Sequence, residues 1–66
     1  MNKFIITKIT LDVPKRFGRK NQKDLVDELK SRVYSDTDKD SLAYYLQEEL
    51  STKKVTILDI KITKVL

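Results

Sequence analysis

The stretch KFIITKITLDV, residues 3–13, decides the fold class. Apolar and polar side chains alternate along it, which is the period of a strand with one buried face. The positions expected to face the core are Ile5, Thr7, Ile9, Leu11 and Val13. The sequence therefore predicts a strand over residues 3–13, with Phe4 and Ile6 turned to its other face.

The other end of the chain repeats this alternation in KKVTILDIKITKVL, residues 53–66. The positions expected to face the core are Leu58, Ile60 and Ile62. Val55 and Ile57 precede them in the opposite phase, which indicates a bulge near residue 57. We therefore predict a second strand over residues 54–65.

Two helical patterns lie between these strands. Asn21 is a suitable N-cap for a helix over residues 21–34. Its apolar positions are Leu25, Val26, Leu29 and Val33. A second helix, over residues 37–51, begins at Thr37 or Asp38 and has the same helical spacing. Its apolar positions are Leu42, Ala43, Tyr45, Leu46 and Leu50.

The segment SDT, residues 35–37, is short enough to join antiparallel helices. The predicted fold is a single α+β domain, strand-helix-helix-strand, with a two-stranded sheet packed on a helical hairpin. We favour antiparallel strands, although the connection at 14–20 also permits a parallel arrangement. Pairing Ile9 with Leu58 collects the apolar residues on the helix side, and it places Lys8 opposite Asp59 on the other face.

The other face of this two-stranded sheet is unusually apolar for a solvated surface. A domain of 66 residues is marginally stable, and a lone two-stranded sheet has edges that can pair with another chain. We therefore predict a homodimer whose interface includes Phe4, Ile6, Val55 and Ile57. The alternative is that strand twist and the chain ends shield these side chains.

The segment PKRFGRKNQK, residues 14–23, contains five cations and no acid. Lys15, Arg16, Arg19, Lys20 and Lys23 could neutralise nucleic-acid phosphates, while Phe17 could stack on an unpaired base. Alternatively, the same cations could meet an acidic protein surface. In a third interpretation they pair with acids early in the first helix, and Phe17 folds back on the core.

The residue inventory argues against catalysis and metal binding. The chain has no His and no Cys, and its only glycine is Gly18, so histidine acid–base groups, thiol nucleophiles and phosphate-cradling loops are missing. DTDKD, residues 36–40, begins like a calcium loop, but its sixth position is Ser41 rather than glycine. We expect no enzyme activity, no cofactor and no metal site.

Neither a signal peptide nor an apolar stretch of membrane-spanning length is evident, so we expect a cytoplasmic protein without a membrane partner. The predicted function is that of a small binding or regulatory protein that contacts nucleic acid through residues 14–23. The alternative is a protein–protein adaptor or inhibitor that uses the sheet face or the exposed tyrosines Tyr34 and Tyr44.

Overall fold

A computed structural model describes residues 1–65 of the chain. Its elements, in chain order, are β1 (Asn2–Asp12), a short 3-10 helix (Lys15–Phe17), α1 (Arg19–Ser31), β2 (Tyr34–Asp36), α2 (Lys39–Ser51) and β3 (Thr56–Val65). The predicted α+β class is confirmed. The sheet, however, has three strands in the order β2-β1-β3, so the predicted count of two strands is wrong.

Both strand pairs are antiparallel, which confirms the orientation predicted for the two long strands. The additional strand, β2, pairs with the start of β1, where Phe4 lies opposite Tyr34. The Tyr34 hydroxyl donates a hydrogen bond to the carbonyl oxygen of Leu29 at 3.0 Å. The predicted helical hairpin is therefore wrong. The segment between the helices forms backbone hydrogen bonds with β1 at the edge of the sheet instead of making a short turn between two packed helices.

A bulge in β1 changes which side chains face the helices. Ile6 pairs with Ile62 and Lys8 with Lys61, so Thr7 is the extra residue on β1. An extra residue reverses the alternation along a strand. Residues before Thr7 therefore have the opposite phase from the one predicted, and the expectation that Ile5 and Thr7 face the core is wrong.

The predicted interface residues are affected directly. Phe4 and Ile6 are each 2% exposed and Val55 is 1% exposed. Ile57 is partly buried and packs against the same core. The predicted orientation of all four side chains is wrong, because the bulges turn them towards the helices, and they cannot form the exposed apolar patch that we expected.

A second bulge lies in β3, at Leu58, close to the predicted position. Ile9 pairs with Ile60 rather than with Leu58, and Leu58 is 63% exposed, so the predicted register and the predicted burial of Leu58 are both wrong. Asp59 pairs by register with Thr10, yet its carboxylate lies 3.5 Å from the Lys8 ammonium. This ion pair is thus a diagonal contact across two strands.

The core lies between one face of the sheet and the two helices. α1 packs on β1, and α2 packs on β3 and β2. The buried residues are Phe4, Ile6, Ile9, Leu11, Leu25, Leu29, Leu42, Leu46, Leu50, Val55 and Ile62. The opposite face of the sheet carries exposed Lys3, Lys8, Thr10, Asp59 and Lys61.

Three of the four helix boundaries differ from the predicted ones by two or three residues, and the second helix ends at Ser51 as predicted. α1 begins at Arg19 and ends at Ser31, so Val33, which we predicted on its apolar stripe, is exposed. α2 begins after Asp38, one of the two predicted caps, whose carboxylate accepts a hydrogen bond from the amide of Ser41 at 2.7 Å. Within residues 1–65, neither helix is long and apolar enough to cross a membrane.

Candidate functional site

The basic segment, residues 14–23, follows a defined path from β1 to α1. The amide of Phe17 donates a hydrogen bond to the carbonyl of Pro14 at 2.9 Å and closes the 3-10 turn. Gly18 follows at φ +85° and ψ 148°, a conformation that is essentially restricted to glycine. Gly18 therefore divides the five cations into a pair on the 3-10 turn and a trio on the first turns of α1.

Two contacts hold this segment against the domain, and one hydrogen bond stabilises the segment internally. Phe17 is half-buried and packs against the core. The Asn21 side-chain amide donates to the Phe17 carbonyl at 2.8 Å, and that of Gln22 donates to the Leu11 carbonyl at 3.5 Å. Phe17 therefore anchors the segment, as in the third interpretation above, and only the exposed part of its ring remains for the predicted stacking.

The cations of the basic segment all point into solvent. Those on the 3-10 turn are Lys15 and Arg16, and those on α1 are Arg19, Lys20 and Lys23. Among residues 1–65, the ion pairs within 4.0 Å are Lys8 with Asp59 and Arg32 with Glu28. The structure therefore does not support local pairing of the segment with the acids of α1.

The start of α1 adds backbone donors to this positive charge. Gly18 provides no side-chain cap, and the first turn contains no acid. The first amide of the helix that finds a carbonyl is that of Gln22, which bonds to Gly18 at 3.1 Å. In the described chain no partner is found for the amides of Arg19, Lys20 and Asn21. A helix start with free amides attracts anions.

A turn after α2 brings further lysines to the same end of the molecule. Asp12, at the end of β1, pairs with Thr56, at the start of β3. The connections that follow β1 and precede β3 are therefore neighbours. Lys53 and Lys54 lie in the second of these connections and are exposed. We call residues 14–23 together with these two lysines the basic end.

Lys54 has an unusual backbone conformation, with φ +64°. Its amide bonds to the carbonyl of Ser51, and that of Val55 bonds to Leu50, both at 3.0 Å. This is the Schellman arrangement that ends a helix, in which the left-handed position is usually glycine. A lysine there costs about 1 kcal/mol or more in backbone strain.

The sequence did not indicate a second feature, a cleft of about 330 Å³ between the two helices. Its lining residues include Leu25, Leu29, Leu46 and Leu50 below, with Glu28, Arg32, Tyr34, Tyr45, Glu49 and Lys53 around them. The i, i+4 spacing of Glu28 with Arg32 and of Tyr45 with Glu49 was the one sequence pattern that could have indicated this cleft. The cleft was not predicted because two helices packed as a hairpin would leave no space between them.

The tyrosines occupy different environments. Burial raises the pKa of Tyr34, whose hydroxyl bonds within the cleft. A hydrogen bond to Glu49 raises the pKa of Tyr45. Tyr44 is 70% exposed. Of the two tyrosines that we predicted as exposed anchors, only Tyr44 is freely accessible, and Tyr45 adds a second accessible ring.

The acidic motif at residues 36–40 is used for local structure. Asp36 accepts a hydrogen bond from the amide of Thr37 at 2.7 Å, and Asp38 caps α2. Among residues 1–65, no group of three or more Asp or Glu side chains is arranged to hold a metal ion.

Comparisons of the chain with protein-family models, with curated proteins and with solved structures found no match.

Proposed function

We propose that this protein is a non-enzymatic regulatory protein that binds nucleic-acid phosphates through its basic end. The observation that carries this proposal is the basic segment itself. Five exposed cations, none within 4.0 Å of a carboxylate in the described chain, stand on a segment that is tied to the core. A fixed array of unpaired cations is the electrostatic footprint of phosphate recognition.

The donor types suit phosphate oxygens. Arg19 follows Gly18 directly and Arg16 precedes it beyond Phe17, and a guanidinium binds a phosphate through two parallel hydrogen bonds. The lysines act as point charges around them. The free amides at the start of α1 add hydrogen-bond donors that point outward from the N-terminus of the helix, along its axis. Contacts of this kind position a protein on nucleic acid without reading its sequence.

Two local costs also favour this proposal. Cations in the first turn of α1 oppose the helix dipole, where acids would stabilise the helix. Lys54 occupies a left-handed position that glycine would hold with less strain. Both costs fall on the basic end, and both keep positive charge exposed there.

The test is fluorescence anisotropy with labelled single-stranded and duplex oligonucleotides across a range of salt concentrations. We expect a Kd of about 1–100 µM at physiological salt, falling steeply with lower salt because counterions are released. The variant Arg16→Gln, Arg19→Gln, Lys20→Gln should bind at least tenfold more weakly. Its log–log salt slope should decrease by about 0.9 for each duplex phosphate contact that is lost.

A matched control removes the same charge at the opposite end of the molecule. Lys30→Gln, Lys39→Gln, Lys64→Gln likewise replaces three exposed cations, and it should leave the affinity nearly unchanged. Equal losses in the two variants would show attraction by net charge alone and would contradict a site at the basic end.

A protein–protein adaptor or inhibitor is the second candidate function. The cleft between α1 and α2 and the exposed rings of Tyr44 and Tyr45 favour it, because tyrosine is enriched at protein interfaces. In this case Tyr45→Ala should abolish binding of a purified partner protein, and the triple glutamine variant of the basic segment should retain it.

A further inference from the structure

β3 is an edge strand whose outer side is protected only at its start. Gln47 of α2 reaches this edge, where its carbonyl accepts a hydrogen bond from the Ile57 amide at 2.9 Å. Its amide group donates to the Val55 carbonyl at 3.2 Å. Beyond Leu58, no other described strand pairs with the outer side of β3. An unpaired strand edge can form backbone hydrogen bonds with another chain.

The backbone direction along β3 follows from one contact. The carbonyl of Lys61 accepts a hydrogen bond from the Thr7 hydroxyl at 3.3 Å, so it points towards β1. Successive residues of a strand direct their backbone groups to opposite sides. Ile60 and Ile62 therefore direct their amide and carbonyl groups to the open edge, while Asp59 and Lys61 direct theirs to β1.

The charge pattern around Ile60 distinguishes between the possible registers of two antiparallel β3 strands. A two-fold axis at Asp59 would bring two aspartates together, and one at Lys61 would bring two lysines together. An axis at Ile60 instead places Asp59 of each copy opposite Lys61 of the other, twice in the same interface. Opposite charges at directly facing positions stabilise a strand pair, and like charges destabilise it.

We propose that a second copy of this chain pairs with the open edge of β3, antiparallel and centred on Ile60. The interface is self-complementary, as a two-fold dimer requires. It joins two three-stranded sheets into one of six strands, with all four helices on the same face. It differs from the predicted interface, because it uses backbone groups of the edge and not the side chains of Phe4, Ile6, Val55 and Ile57.

The helix side of the edge has room for such a contact. A shallow cleft of about 310 Å³ lies there, lined by Lys39, Asp40, Ala43, Ile60, Lys61 and Ile62. Ile60 is half-buried and packs against the core. In the proposed dimer the second Ile60 lies directly opposite, which covers the remaining exposed part of both side chains.

Charge-reversal variants test the register. Asp59→Lys alone and Lys61→Asp alone each place like charges at both facing positions, and each should dimerise more than about tenfold less tightly than the wild type. A one-to-one mixture of the two variants restores both opposite-charge pairs. It should therefore form a heterodimer, measurable by sedimentation velocity and native mass spectrometry. A mixture that stays monomeric, or single variants that dimerise like the wild type, would overturn the proposal.

Asp59 also contacts Lys8 within its own chain at 3.5 Å, so Lys8→Gln is the matched control. Lys8 lies on β1, away from the open edge, and its loss should leave dimerisation unchanged.

A measurement on the wild-type protein is independent of these substitutions. Amide hydrogen exchange at Ile60 and Ile62 should slow as the protein concentration rises, because dimerisation pairs these groups. Exchange rates that do not change up to high micromolar concentration would contradict the proposed dimer.

Discussion

The two helices begin in opposite ways, at opposite ends of the molecule. α2 starts at the acidic end, residues 36–40, where the Asp38 carboxylate caps the helix and Asp40 lies in its first turn. α1 starts at the basic end, where Gly18 offers no side-chain cap and the first turn contains no acid. The backbone ladder connects the two ends, since β1 pairs with β2 at Asn2 and with β3 at Asp12.

The start of α2 has the residues that stabilise a helix, whereas the start of α1 has exposed positive charge instead. Acids and a capping carboxylate at a helix start are what helix stability favours, and α2 has both. α1 has cations in the same positions and is held by Phe17 and by the Gln22 contact to β1 instead. We therefore expect acids in the first turn of α1, in place of its cations, to make the domain more stable.

The largest effect is expected for Gly18→Ala. A methyl group would have space, since its nearest neighbour is the Asn21 side chain at 3.9 Å, but φ +85° disfavours any residue with a Cβ. The variant should lose about 1–3 kcal/mol of unfolding free energy through backbone strain alone. Urea denaturation measures this loss. A neutral result would mean that the segment adopts another path, and the described geometry of the basic end would be wrong.

Lys54→Gly should change stability in the other direction. It relieves the left-handed backbone at φ +64° and should raise the unfolding free energy by about 0.5–1 kcal/mol. Lys54→Ala is the matched control, because it removes the same charge and keeps the strain. If both variants gain equally in urea denaturation, the gain comes from the charge and the strain argument fails.

Arg19→Glu should weaken oligonucleotide binding and stabilise the start of α1. An acid there complements the helix dipole and should add about 0.5 kcal/mol to the unfolding free energy, while oligonucleotide affinity falls. Lys30→Glu, near the end of the same helix, provides the reverse comparison. It should lower stability and leave the affinity nearly unchanged. Thermal melts and anisotropy on both variants separate the two properties, and parallel changes in them would refute the trade-off.

The smallest effect is expected for Asp38→Asn, and only in acid. The hydrogen bond from the Ser41 amide holds the pKa of Asp38 below its usual value. The stabilisation from this ionised cap is complete above the unfolded-state pKa and is lost as pH falls through the lower folded-state pKa. Asparagine also caps helices but does not titrate. The urea midpoints of the wild type and of Asp38→Asn should therefore agree at neutral pH. As the pH falls into the acid range, the midpoint of the variant should fall less steeply than that of the wild type. Identical acid profiles would contradict this role of Asp38.

The sequence by itself determined the features that depend on local pattern and composition. Alternation identified the two long strands, helical spacing identified Leu25, Leu29, Leu42, Leu46 and Leu50 as core residues, and the charge distribution identified the basic segment. These inferences succeed because strand and helix periods are properties of neighbouring residues. Lysine and arginine side chains are mostly exposed in folded proteins unless they are paired.

Only the tertiary structure decided the faces of the sheet and the presence of β2. The bulge at Thr7 reverses the phase of Phe4 and Ile6, and nothing local to that stretch distinguishes an extra residue from a regular strand. β2 has three residues, too few for a period, and it exists because Tyr34 can pair with Phe4 on an edge distant in sequence. Register and edge pairing depend on which chain segments meet in space, so a one-residue shift turns predicted surface side chains into core.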